Sequence, residues 1–223
     1  MKLSRIFSGL ALLSGLFLFV PKGRALMLTS EPELDQRINK AGVNSLIVDG
    51  EVVSAEMVTL EKPKGWIATE CTIRGQVLKG SRTFGYEASP EVQEVKVRMY
   101  GFGNFKISGV PICELHEKGL FILNGKHPIT GLTGYSGVSE GKFLYQEVNG
   151  REVAFDSNKN MTLRTGNLLK NAQSAGKSLA ANTKFLSAAN TLMQADPKNG
   201  LDREALVTVV RQLVQIYYPQ NQK

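Results

Sequence analysis

At 223 residues, 42% of them hydrophobic and 21% charged, the chain is long enough for one good-sized core, or a core with a small appendage. Its formal charge of +7 is largely local. Lys2, Arg5, Lys22 and Arg24 lie in the first 25 residues beside no acid, so the remainder keeps 23 of the 27 basic residues against all 20 acidic ones, or +3. So small and dispersed an excess argues against nucleic acid as a partner.

The chain opens like an export signal. Lys2 and Arg5 give a positive start, Ile6–Val20 is uncharged, and Gly23-Arg24-Ala25 places small residues for a cut after Ala25. The apolar run has 15 residues, short of the roughly 20 that a spanning helix needs. No later stretch is longer, so no membrane span is expected in the mature chain. Cys71 and Cys113 are the two cysteines, and an even pair in an exported chain predicts one disulfide. The expected location is secreted or periplasmic.

After residues 1–25 comes a short N-terminal helix within 26–43. Ser30 and Glu33 form a capping box, Leu34, Ile38 and Ala41 share a face, and Gly42 ends the helix. A β-domain follows over 44–165. Asn44–Val48 and Glu51–Leu60 flank Asp49-Gly50, which suits a hairpin turn. In Gly65–Leu78 the apolar Ile67, Cys71, Ile73 and Val77 alternate with Glu70, Thr72, Arg74 and Gln76. Val92–Tyr100 alternates likewise, with Val95, Val97 and Met99 against Glu94, Lys96 and Arg98. Phe105–Ile112 and Leu120–Leu123 are further strands. Lys142–Val148 and Arg151–Phe155 make a hairpin around Asn149-Gly150, and Met161–Arg164 closes the sheet.

Only Gly166, Gly176 and Gly200 of the 22 glycines lie beyond residue 165, where alanine, leucine and asparagine take over. The region 166–223 therefore reads as a helical hairpin. Leu168, Ala172, Ala175, Leu179, Asn182, Leu186, Ala189 and Met193 form a seam of coiled-coil period with a polar break at Asn182. Leu201–Tyr218 carries a broad apolar face through Leu206, Val209, Val210, Leu213, Ile216 and Tyr217. The fold class is α+β: an antiparallel β-sandwich or small β-barrel of about eight or nine strands, followed by an antiparallel helical hairpin. The hairpin's apolar face packs on the β-region or serves self-association.

Searches for chemistry mostly fail. Gly134-Tyr135-Ser136-Gly137-Val138 lacks the last glycine of a nucleophile elbow and its strand-to-helix setting. Gly101-Phe102-Gly103 leads into a strand rather than a helix. Cys113, His116 and His127, even with Glu114 or Glu117, do not make a zinc site once Cys113 is in a disulfide. No metal or other cofactor is expected. The segment Thr130–Gly141, rich in glycine and hydroxyls, reads as a loop that offers Tyr135 and Ser136 to a ligand, with Tyr100 and Phe102 adding aromatic surface. The functional expectation is an exported envelope protein with a non-enzymatic binding or assembly role, its partner another envelope protein or a glycan. The alternative is a carboxylate-dependent enzyme acting on envelope polysaccharide, drawing on Glu70, Glu94, Glu140 or Glu147.

Overall fold

The computed structural model describes residues 34–101, 111–137, 141–156, 182–196 and 199–219. Helix α1 (Leu34–Lys40) precedes strands β1 (Leu46–Thr59), β2 (Ile67–Lys79), β3 (Ser89–Tyr100), β4 (Lys118–Leu123), β5 (Lys142–Val148) and β6 (Arg151–Asp156). Helix α2 (Thr183–Gln194), the two-residue strand β7 (Leu201–Asp202) and helix α3 (Arg203–Tyr217) follow. The strands form one seven-stranded sheet in the order β3-β2-β1-β4-β5-β6-β7, with every neighbouring pair antiparallel.

The α+β class and the C-terminal helices agree with the sequence reading, but the described residues form neither a second facing sheet nor a closed barrel. Helices cover one face instead, and β3 and β7 are the outermost strands. Among the described residues, two expected strands are one. Asp49-Gly50 is no turn but the middle of β1, where Gly50 stands opposite Gly75 on β2 and Gly119 on β4. Gly50 does not take a positive φ; a Cβ there would sit 2.5 Å from the Arg74 carbonyl oxygen. Glycine serves close approach of strands here, and two expected strands merge into one of 14 residues. At Asn149-Gly150 the expected turn does form, with φ of 52° and 75°. Met161–Arg164 and most of Phe105–Ile112 lie outside the described residues.

The sheet curls. The short segment Thr133–Tyr135 makes a parallel bridge to β3 (Met99–Thr133) and an antiparallel one to β4 (Leu123–Tyr135), spanning the gap between them. Inside the curl is a core of Leu46, Val48, Val52, Ile73, Val95, Val97, Phe121 and Leu123, and the disulfide Cys71–Cys113 is part of it. On the outer face a second core joins Ile47, Leu120, Ile122 and Phe143 to Leu34 and Ile38 of α1, Phe185 of α2, and Leu206, Val210 and Leu213 of α3. β4 feeds both: Leu120 and Ile122 point outward, Phe121 and Leu123 inward, so its sequence shows no alternation.

Two polar residues lock the helices. Lys79 is fully buried, donates to the Val43 and Ser45 carbonyls at 3.1 and 2.7 Å, and lies 4.4 Å from the centre of the Tyr218 ring. The Tyr218 hydroxyl faces the carbonyls of Ile38 and Asn39 at 2.8 and 2.9 Å and accepts from the Gly42 N–H at 3.1 Å, fastening the end of α1.

The tail corrects the expected seam. Asn182 is not a polar break within a helix but the N-cap of α2, its side chain accepting from the Phe185 N–H. The buried face of α2 is Phe185, Ala189 and Leu192, while Leu186 is only partly covered. The positions expected at Leu168, Ala172, Ala175 and Leu179 lie outside the described residues. In α3 Leu206, Val209, Val210, Leu213 and Ile216 are buried as their spacing implies, and Asp202 caps the helix through the Ala205 N–H. Among the described residues, no helix is long and apolar enough to cross a membrane.

Candidate functional site: the bare outer face of β2 and β3

The residues singled out in the glycine-rich segment do not gather into a surface site. Tyr135 is 1% exposed. Its ring lies 6.1 Å from that of Phe121, with the Lys142 ammonium 5.5 Å from its centre. Burial, then the charges of Glu117 and Glu114, push its phenol well above the usual range. Ser136 is also buried, its N–H donating to the Ile122 carbonyl. Tyr100 is exposed at the end of β3, and Phe102 lies outside the described residues. The segment is no free loop: the Thr133 N–H donates to the Arg98 carbonyl, and a side chain at Gly141 would collide with the Ile122 carbonyl. Bridged to β3 and β4, the segment turns its tyrosine inward.

The other candidates separate too. Cys71 and Cys113, both buried, are bonded to each other, with Cα atoms 6.5 Å apart. His116 is exposed beside Glu51, whereas His127 accepts from the N–H groups of Ile129 and Thr130. Among the described residues there is no group of three metal-ligating side chains. Lys142, 4% exposed, donates to Glu117 at 2.6 Å and to the Ile112 carbonyl at 2.9 Å, which binds the 111–117 segment beneath the sheet.

What the fold does assemble is a polar ladder. On the outer face, β2 and β3 pair Gln76 with Val92, Arg74 with Glu94, Thr72 with Lys96, Glu70 with Arg98 and Ala68 with Tyr100. At its Gln76 end Arg211 of α3 bonds the ladder, whereas Arg74, Glu94, Lys96 and Arg98 stand exposed. Arg74 bonds Glu94 at 2.7 Å and Arg98 bonds Glu70 at 2.6 Å, while Lys96 stands opposite an uncharged partner. Trp66 directly precedes β2 and is 51% exposed, while Ala68 between it and the ladder is fully buried. The turn that carries Trp66 and the 124–132 loop meet over the ladder's end, where Leu60, Ala68 and Leu132 form a small cluster. Beside it, a pocket of about 420 Å³ is lined by Glu70, Lys96, Arg98, Lys126 and Gly131. Burial and then the nearby Arg98 charge hold the Lys126 ammonium below its usual value.

The far end of the face reaches α3. Arg203 bridges Asp49 and Glu152 and lies 4.7 Å from the centre of the Tyr145 ring, and the Tyr145 hydroxyl donates to Asp49 at 2.7 Å. Burial and the adjacent Asp49 charge raise the Tyr145 phenol far above its ordinary value. A groove of about 570 Å³ runs past these groups, with Arg151 and Lys184 on its rim.

Two of the four carboxylates named for catalysis are occupied. Glu70 and Glu94 are held by arginines, Glu147 faces Glu152 across β5 and β6, and Glu140 lies outside the described residues. The sequence carried the signal for this face in the polar positions of β2 and β3, whose alternation reads simply as solvent exposure. Lys126 gives no periodic signal, because its loop reaches the ladder only through the curl of the sheet. Compared with known proteins, the chain matches no protein family, no curated protein and no solved structure.

Proposed function

We propose that this chain is an exported protein of the cell envelope, secreted or periplasmic, that binds a ligand or partner rather than transforming it, through the outer face of β2 and β3. The observation that carries this reading is the uncovered ladder of Arg74, Lys96, Arg98, Glu70 and Glu94 on a sheet whose opposite face is closed by a buried disulfide. The pairing supports it further. A strand bonded to both β2 and β4, and a fifth segment parallel to β3, suit a partly open five-stranded barrel of the OB type. In such barrels the strand 2–3 face and its flanking loops bind oligosaccharides or oligonucleotides. Self-association through the C-terminal helices would need surface other than Leu206, Val209, Val210 and Leu213, which the outer core uses.

The enzyme reading would rest on Glu147 opposite Glu152, yet Glu152 is bonded to Arg203. A glycosidase needs one carboxyl free to give a proton and another to act on the far side of the sugar. Two measurements decide. In protein taken from its own compartment both cysteines should resist alkylation until reduced; freely alkylated thiols end the export reading. In a glycan screen the expected result is binding without turnover. Turnover abolished by Glu147→Gln or Glu140→Gln would replace binding with catalysis.

A further inference from the structure

We infer that the ligand of the β2–β3 face is an acidic saccharide chain, held by Lys96, Arg98 and Lys126 with Trp66 and Tyr100 as stacking surfaces; this rests on the binding reading above. The pocket beside the ladder sets three cations against one carboxylate, Glu70, which Arg98 already engages. Lys96 has no acidic partner across the strand, and Lys126 sits where burial and Arg98 both disfavour its charge. A ligand anion seated among Lys96, Arg98 and Lys126 offsets the Arg98–Lys126 repulsion, so the site is electrostatically complementary to an acid and not to a neutral chain.

The neighbouring apolar surface points to sugars. Trp66 and Tyr100 are exposed at one end of the same face, and Lys62 and Lys64 lie exposed in the turn before Trp66. Exposed aromatic rings at one end of a face that also carries cations suit a saccharide chain that offers a C–H face to a ring and carboxylates to the amines. Single-stranded nucleic acid would ask for the same two features. The signal segment, the disulfide and the near-balanced charge beyond residue 25 weigh against it.

The chain has a single tryptophan, so its fluorescence reports on Trp66 alone. Three probes are titrated into the full chain: a hexameric oligogalacturonate, the same oligomer with its carboxyl groups reduced, and an oligo-dT of similar length. The hexamer should change Trp66 emission saturably, bind more weakly as salt rises, and exceed both other probes in affinity. Lys96→Glu and Lys126→Glu should each weaken it by about tenfold, with thermal unfolding unchanged. Calorimetric titration of Trp66→Ala should show a weaker but measurable complex. Equal affinity for the reduced oligomer would overturn the acidic ligand while leaving the binding reading in place. Tighter oligo-dT binding lost in Lys96→Glu would assign the face to nucleic acid. If no probe binds, the acidic-saccharide assignment falls; glycan turnover would remove the binding reading as well.

Discussion

Two stretches of the same sheet receive opposite treatment. Around Ile47, Leu120 and Phe143 it is buried on both sides, by the disulfide core within and by α1, α2 and α3 without. Along β3 and the middle of β2 the outer side instead carries Arg74, Lys96 and Arg98 into solvent. The difference separates the surface that holds the fold together from the surface that, on the proposed reading, serves binding. Apolar contact accumulates where three layers stack, and substitutions there should act on folding. On the bare face the side chains support little of the fold and are free to meet a partner.

The largest effect should come from the covered half. Phe185 is fully buried between α2 and the outer core, so Phe185→Ala should cost about 3–5 kcal/mol in denaturant unfolding. A loss below about 1 kcal/mol would mean that α2 is only loosely held and that the sheet is stable without it.

Next is the row of glycines between the two halves. Gly50→Ala would force its methyl onto the Arg74 carbonyl, and overpacking of this kind costs about 1–3 kcal/mol. Gly150→Ala offers the contrast, since nothing lies near its Cβ and only the positive φ of 75° is disturbed. Similar losses for both would show that strand approach at Gly50 is no tighter than an ordinary turn.

Lys79 gives a pH test of the covered half. Burial lowers its ammonium from 10.5 to about 8. The unfolded chain therefore binds the extra proton between about pH 8 and 10.5, and stability from this group rises with pH across that window and is lost as pH falls through 8. Wild type should gain on Lys79→Met between pH 8 and 10, on the order of 1 kcal/mol, read as the difference between two unfolding curves. A gap that stays constant with pH would place the Lys79 ammonium in contact with water.

These regions also differ in how far the sequence revealed them. Alternation in Gly65–Leu78 and Val92–Tyr100 gave β2 and β3 because one face of each is wet, and period two survives only under that condition. It also placed Cys71 inward, where the disulfide lies. β4 has no alternation because it is dry on both faces, so its sequence could not tell which of Leu120 and Phe121 met which core. Asp49-Gly50 misled because a glycine used for strand approach looks the same as one used for a turn. Tyr135 misled because a glycine-rich segment reads as a free loop, whereas this one is bridged to β3 and β4. The pocket at Lys126 was invisible because its walls come from segments about thirty residues apart, which only the curl of the sheet brings together.

The smallest expected effect is the most diagnostic for the bare face. Arg74 and Glu94 bond at 2.7 Å, but their side chains are 57% and 53% exposed. In water the attraction is weak, and ordering two long side chains offsets much of it, so exposed pairs contribute about 0.2–1 kcal/mol. Arg74→Ala, Glu94→Ala and the double variant should each unfold within about 0.5 kcal/mol of wild type, and the cycle should give a coupling no larger. That outcome would leave the ladder free of any structural duty, so that changes in ligand affinity in the same variants report on binding alone. A coupling above about 1 kcal/mol would instead mean that the pair braces β2 against β3. Affinity losses at Lys96 and Arg98 would then have to be read against a face that the fold itself depends on, and the division between the two stretches of sheet would dissolve.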